Sequence, residues 1–326
     1  MTPTPPLYIV LNAGSGGRRV REARQAIDAA CAAAGRPQTI FQVDQPALLK
    51  ESVRRAVEQA RVEGGIVVAA GGDGTINGVA QAAWRAGCAF GVLPQGTFNY
   101  FSREHGVPAD IDDALKLLLT GQPRAVNVGL VNDRVFLVNA SLGMYARLLE
   151  QREDFKQVLG RHRWTAITAG IVTLLRGVSL WHLRITWRGQ EREFRTPTLF
   201  VGNNTLQMLQ VGLPVAGAIE QGQLAAVVLK PAGALSLIAL GLAAARHDLG
   251  ESDALSTFTF ESIRLRAPDS KRAGRIKVAT DGEIDWAALP LEIRVAPQPL
   301  WLIRPEHAPE VEAAKAHRAT EAVSHS

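Results

Sequence analysis

Gly71-Gly72-Asp73-Gly74-Thr75-Ile76 stands between two segments of different periodicity. Before it, Gly65-Ile66-Val67-Val68-Ala69-Ala70 is a short apolar run of the kind that forms a buried parallel strand. After it, Asn77 to Ala86 places apolar residues at helical spacing and stops at Gly87. The unit reads as strand, glycine turn, helix. Such a turn aims backbone N–H groups from a helix N-terminus, where the dipole favours an anion. Glycine lets a ligand approach the chain closely. Asp73 does not suit a plain phosphate nest, because it repels phosphate unless a metal or a catalytic task calls for it. Taken alone, the turn is equally consistent with an ordinary strand-to-helix connection. No Gly-x-x-x-x-Gly-Lys-Ser/Thr occurs, which argues against a P-loop. Asn77 stands where a dinucleotide fingerprint needs its third glycine.

Two further glycine turns flank this one. Leu7–Leu11 reads as a strand running into Asn12-Ala13-Gly14-Ser15-Gly16-Gly17-Arg18-Arg19. Gly14 and Gly16 fit a dinucleotide loop, but Arg19 occupies the third glycine's place. Val20–Ala34 and Ala47–Val62 read as helices, with Thr39–Val43 a strand between them. The strand Ala89–Leu93 leads into Pro94-Gln95-Gly96-Thr97-Phe98-Asn99-Tyr100, and Asp110 caps a helix Ile111–Thr120. Strands alternating with helices predict a parallel α/β sheet, whose ligands bind at the carboxyl ends of the strands. Three strand ends carrying Gly, Ser/Thr and Asn suit a polyphosphate and a sugar.

Composition bounds the chain. Its 326 residues suffice for about two domains. It is 47% hydrophobic and 21% charged, as in a globular protein with a real core. A net charge of +5 is compatible with an anionic ligand, a membrane surface or RNA, or with ordinary variation. Two distant cysteines, Cys31 and Cys88, form no disulfide framework, as in a reducing cytosol. The seven histidines make no zinc pattern. Residues 1–6 lack the pattern of a signal peptide. The longest apolar stretches, Ile167–Leu175 and Ala232–Ala245, fall short of the ~18–20 residues that span a bilayer.

Gly71-Gly72-Asp73-Gly74-Thr75 followed by Leu93-Pro94-x-Gly96-Thr97-x-Asn99 resembles the diacylglycerol kinase catalytic family, which includes bacterial lipid kinases and sphingosine kinases. Asn12-x-x-Ser15-Gly16 resembles its first nucleotide loop. Phe136-x-x-Asn139-Ala140-Ser141-Leu142-Gly143, Val201-Gly202-Asn203 and Asp281-Gly282-Glu283 resemble its later segments. The resemblance runs over roughly residues 7–303. The chain departs from the bacterial pattern at Gly78, Tyr100 and Asn127, and again at Glu220-Gln221-Gly222-Gln223-Leu224, where the family often has carboxylates.

Beyond residue 125 the texture turns to strands. Arg124–Val131 and Arg134–Asn139 read as a hairpin about Asn132-Asp133, and Leu183–Trp187 and Glu191–Thr196 as another. Thr198–Val201, Leu224–Leu229, Phe258–Arg266, Arg275–Thr280 and Leu291–Ala296 also read as strands. The fold expected is an α/β N-terminal nucleotide-binding domain (residues 1–125), with a parallel sheet and flanking helices. A mainly antiparallel β-sandwich domain (126–303) follows, its end packing back on the first, and then a flexible tail (304–326). Met144–Ser179 is helical in pattern and carries Arg161, His162, Arg163 and Trp164, which suits either a membrane interface or a solvated helix.

The resemblance implies an ATP-dependent lipid kinase using Mg2+, acting on diacylglycerol or a related lipid alcohol. Asn12, Ser15, Gly16, Gly71, Gly72, Gly74, Thr75, Gly96, Thr97 and Asn99 would bind the nucleotide. Asp73 would hold the metal. Asp281 is the preferred catalytic base, with Asp73 its rival and Glu283 beside it in the turn. The expected partners are the lipid alcohol and a membrane surface met transiently from the cytoplasm. Nucleic acid is not expected, and a homodimer is left open. Two other readings stand beside this one: an NAD kinase-like enzyme with a soluble acceptor, and a non-catalytic nucleotide- or lipid-binding regulator that has lost carboxylates at 78, 100 and 127.

Overall fold

A computed structural model describes residues 4–13, 17–143, 180–213, 215–231, 240, 249–268 and 274–324. The chain forms two compact units, one from Met1–Val128 with Ala296–Ser326 and the other from Gly129–Val295.

The first unit opens with β1 (Leu7–Asn12), α1 (Gly17–Ala33), β2 (Gln38–Val43), α2 (Leu49–Glu63), β3 (Ile66–Gly71), α3 (Asp73–Ala86) and β4 (Ala89–Pro94). It continues through α4 (Tyr100–Glu104), α5 (Ile111–Thr120) and β5 (Gln122–Val126). β3 is buried at every position, as an unbroken Ile-Val-Val-Ala-Ala run requires of a central parallel strand. α3 ends at Gly87, whose φ of +67° is the left-handed cap that glycine adopts without strain. Asp110 accepts from the N–H groups of Asp112 and Asp113 and so starts α5. The helix then closes on Gly91, where any Cβ would lie 2.5 Å from Leu118 Cδ1.

The second unit contains β6 (Gly129–Val131), β7 (Arg134–Phe136), β8 (Asn139–Gly143), β9 (Trp181–Trp187), β10 (Gln190–Thr196) and β11 (Thr198–Gly202). After two short helices, Thr205–Gln210 and Ala216–Glu220, come β12 (Leu224–Leu229), β13 (Leu255–Phe260), β14 (Ser262–Arg266), β15 (Arg275–Thr280), β16 (Glu283–Ala288) and β17 (Leu291–Val295). They form two antiparallel six-stranded sheets, ordered β10-β9-β14-β17-β6-β7 and β13-β12-β11-β8-β15-β16. One apolar core joins Leu183, Ile185, Ile263 and Leu265 of the first sheet to Leu142, Leu199, Val228 and Val278 of the second, which makes the unit a β-sandwich.

The chain then returns to the first unit as β18 (Leu300–Arg304). It lies parallel beside β4 and antiparallel to β5, completing the order β2-β1-β3-β4-β18-β5.

Several expectations are corrected here. The predicted strand 124–131 is two strands in different sheets, broken where the chain leaves the first unit at Val128. The predicted strand 258–266 likewise divides at Glu261 between β13 and β14. Residues 296–303, the end of the second region expected to pack back on the first, join the first unit's sheet through β18. The tail expected from Arg304, read from sequence as a frayed helix or disordered, starts at the last residue of β18, and its Pro309–Ser324 is helical. Glu310 and Glu312 in its first turn suit the helix dipole, Val311 is buried, and Glu310 meets Arg103 at 2.7 Å. Met144–Ser179 and nearly all of Ala232–Ala245 lie outside the described residues, so their readings are not addressed by the structure. Among the described residues, no helix is long and apolar enough to cross a membrane.

The return strand also creates a pH-sensitive contact. His105, after α4, sets its ring edge-on to Phe101 at 4.7 Å, and its Nδ1 lies 3.4 Å from Arg304 Nη1. Burial first, and the Arg304 charge second, lower its pKa to about 3. Between pH 6.5 and about 3 the unfolded chain therefore binds a proton that the native chain refuses, and stability falls as pH falls. Denaturant unfolding from pH 7 to 4 should show this loss, at up to about 1.4 kcal/mol per pH unit. His105→Gln, which keeps an acceptor for Arg304, should flatten that slope by one proton. An unchanged slope in the variant would count against His105 as the source.

Candidate functional site

β1, β3 and β4 are consecutive parallel neighbours, and their register pairs Leu11 with Ala70 and Gly71 with Pro94. Their carboxyl ends therefore lie side by side, and the turns after β3 and β4 leave the sheet at one edge. The Gln95 N–H donates to the Gly71 carbonyl at 2.8 Å, extending the ladder one step into the turn.

Close packing makes two glycines obligatory here. A Cβ on Gly71 would lie 2.8 Å from Thr75 Cβ. A Cβ on Gly96 would lie 2.7 Å from Asn99 Oδ1 and 3.2 Å from Gly72 Cα. The two turns thus meet backbone to backbone. Gly72 is the N-cap of α3, extended and without a side chain of its own to cap the helix. The positive end of α3 starts at this turn.

The polar side chains divide between bracing the turns and facing outward. Asn12 Nδ2 donates to Thr75 Oγ1 at 2.7 Å, tying the end of β1 to the first turn of α3. Asn99 is left-handed at φ +46°, a conformation Asn tolerates. Its Oδ1 accepts from Gly96 N at 3.1 Å and its Nδ2 donates to Gly96 O at 2.9 Å, so the side chain closes its own turn. The Asp73 carboxylate accepts from the main-chain N–H groups of Asn99 and of Asp73 itself. Burial nevertheless outweighs these contacts and raises its pKa. Asp73 thereby links the second turn to the third. Thr97 is exposed. Ser15 and Gly16 lie outside the described residues. Gln95 was missed by sequence reasoning: both polar atoms of its amide are buried with no partner among the described residues. It occupies the unspecified position between Pro94 and Gly96, where no motif flags it.

In the second unit three separate motifs converge on one turn. Asp281 (φ +49°) and Gly282 (φ +88°) form the tight β15–β16 connection. The Asp281 carboxylate accepts from Leu137 N at 2.7 Å, Val138 N at 2.9 Å and Asn139 N at 2.9 Å, while its own N–H donates to Asn139 O. Asn203 donates through its side chain to Leu137 O and through its main chain to Val138 O. Asn139 donates to Gln207 Oε1 at 3.2 Å. Glu283, 61% exposed, pairs with Arg134 at 3.0 Å, and Arg134 also reaches Asp285 at 3.2 Å. Arg134 and Gln207 carried no sequence signal of these roles. Among the described residues, no group of three His, Cys, Asp or Glu is placed to hold a metal ion.

Comparison with known proteins agrees with this geometry. The family model for the diacylglycerol kinase catalytic domain matches residues 6–131. The "Probable lipid kinase YegS-like" of Klebsiella pneumoniae is 33% identical over 156 residues, which cover 47% of this chain and 51% of the relative. The "Probable lipid kinase YegS" of Salmonella typhimurium is 32% identical over 160 residues, 47% of this chain and 52% of the relative. The chain thus spans about half the length of the curated relatives it matches. A diacylglycerol kinase crystal structure from Bacillus anthracis superposes with a TM-score of 0.67 over 94% of this chain and 99% of that one, at 19% identity, and so shares the fold. Residues 6–131, which carry the turns after β3 and β4, are thus similar to the diacylglycerol kinase catalytic domain.

Proposed function

We propose that the chain is an ATP-dependent lipid kinase that phosphorylates the hydroxyl of diacylglycerol or a related lipid alcohol. The observation that carries this reading is the glycine cradle, where the Gly71–Gly72 and Gly96 backbones pack together at the N-terminus of α3. The catalytic domain match and the names of the half-length relatives support the acceptor class.

The residues present fit a nucleotide phosphate. A Cβ would fill the cradle at Gly96, and the orphaned Gln95 amide lies in the same turn with both hydrogen-bonding atoms unspent. ATP would supply the phosphoryl group, with Mg2+ offsetting its charge. Main-chain N–H groups of the turns would hold the phosphates, and their rigidity would fix the direction of transfer. Asn12, Thr75 and Asn99 would keep those turns in shape rather than spend their side chains on the ligand. Asp73 is the carboxylate that would hold the metal, directly or through water. A single protein carboxylate suits Mg2+, which keeps most of its shell as water and phosphate oxygen.

Deprotonation of the lipid hydroxyl falls to the Asp281-Gly282-Glu283 turn in this reading. Three main-chain donors fix the Asp281 carboxylate in one orientation, and Glu283 sits two residues on with its side chain largely exposed. Asp281 therefore fastens the segment 137–139 as well as presenting a carboxylate.

The reading is tested by transfer of labelled γ-phosphate from ATP and Mg2+ to diacylglycerol, monoacylglycerol, ceramide and sphingosine in mixed micelles, with NAD as the soluble acceptor. A labelled lipid is expected; label on NAD alone, or none with ATP bound, would overturn it. Gly96→Ala should cut nucleotide affinity at least about tenfold without unfolding the chain, because a tight backbone contact cannot give way cheaply. Isothermal titration would check this, and unchanged affinity would remove the cradle from the site. Asp281→Asn should abolish turnover and spare nucleotide affinity. It should also lower stability by about 2 kcal/mol, since a charged acceptor of three N–H groups is lost. Wild-type turnover in a folded Asp281→Asn protein would exclude Asp281 as the base.

A further inference from the structure

The β9–β10 hairpin sorts its charges by face. Side chains alternate across a strand, and on one face Arg184 and His182 take up both acids of the hairpin. Arg184 lies 2.9 Å from Glu191 and 2.9 Å from Glu193, and His182 lies 3.2 Å from Glu193. Arg192 sits between those acids in sequence and so on the other face. Arg188 occupies the turn with Gly189. Neither Arg188 nor Arg192 has an ion-pair partner among the described residues. Each instead sets its guanidinium over the Trp187 ring, 4.9 Å from the centroid. Trp187 packs against Phe258 at 5.2 Å, and Phe258 stacks on Phe194 at 6.1 Å. β10 and β13 are the outer strands of their sheets, so this part-buried aromatic cluster lies at an edge of the sandwich.

A guanidinium stacked on an aromatic ring is held in orientation while its N–H forks stay available, and those forks match phosphate oxygens in pairs. Two such forks, on the turn and on the first residues of β10, fit an anionic lipid headgroup layer. Single-stranded nucleic acid is a poorer match, because its bases stack on open aromatic faces, and the Trp187 ring is already covered by arginine and Phe258. We propose that the Trp187–Arg192 turn docks the chain on an anionic bilayer surface. The proposal rests on the lipid kinase reading only for why a membrane is met. It requires neither the active site nor the stretch around Trp164.

The test is sedimentation of the full chain with phosphatidylcholine vesicles, alone or mixed with phosphatidylglycerol, in the absence of ATP. The chain should pellet with the mixed vesicles, less so as salt rises, and not with phosphatidylcholine alone. Arg188→Ala and Arg192→Ala should each weaken the partition about fivefold, and the pair roughly 25-fold. Arg188→Lys/Arg192→Lys, which keeps the charge, should retain most of the binding. Arg184→Ala, on the paired face of the same hairpin, should bind like wild type. Four results would overturn the proposal: wild-type binding by a folded Arg188→Ala/Arg192→Ala chain; an equal loss in Arg184→Ala; no pelleting of the wild type with mixed vesicles; or preference for homopolymeric RNA at the same salt. Phosphate transfer to a short-chain diacylglycerol in detergent, on the same preparations, reports on the kinase reading separately. The double variant should keep that activity. Vesicle binding through the two arginines without any transfer would retain the docking surface and discard the kinase.

Discussion

The parallel pairing of β1, β3 and β4 is the constraint from which the candidate nucleotide site follows. Strands that run the same way in adjacent register deliver their carboxyl ends to one line, so strand ends far apart in sequence become neighbours. What they can do there depends on how closely their backbones approach. Gly71 leaves room for Thr75, and Gly96 leaves room for Gly72. The closest backbone approach between the turns is that of Gly96 to Gly72. The N-terminus of α3 at that edge favours negative charge rather than a particular base or ring.

The same economy of side chains appears in the second unit. Asp281 is a carboxylate on a turn, a place where a sequence reader looks for catalysis. Its hydrogen bonds show a structural duty: three consecutive amides, from Leu137 to Asn139, converge on it. Such a nest holds the carboxylate firmly and so orients the acidic turn. Glu283 is tied only to the outside, through Arg134. The turn therefore offers one fixed carboxylate and one exposed carboxylate two residues apart.

What the sequence revealed, and what it withheld, follows from the range of the signals. The strand-turn-helix of residues 65–87 was legible because unbroken apolar burial, glycine and a left-handed cap are local features. The hairpin about Arg188-Gly189 was legible for the same reason. β18 was not, because its partners Ala89 and Phe90 lie more than two hundred residues away and Leu300–Arg304 looks like any short apolar run. β16 was hidden by alternation of Glu and Asp with part-buried Ile284 and Trp286, a pattern that also describes a loop. The motifs at Asn139, Asn203 and Asp281 were each visible. Their meeting was not, because it depends on β8 lying between β11 and β15. Gln95 left no trace, since an orphaned amide is a property of packing alone.

The bracing roles of Asn12, Thr75 and Asn99 bear on how the missing carboxylates at 78, 100 and 127 should be weighed. A site that depended on side-chain ligands would be impaired by each such loss. In this chain the side chains that are present mostly hold turns in place. Phosphate recognition of this kind tolerates Gly78 on α3, where a Cβ would meet nothing within 4 Å. It also tolerates Tyr100, whose ring stacks on Phe98 at 6.2 Å. Removing carboxylates beside a phosphate site lowers the repulsion an incoming polyanion meets, while the charge that must be offset during transfer rests more heavily on Asp73 and the metal it would hold. If the chain is the kinase proposed, the substitutions would weaken metal binding more than phosphate binding.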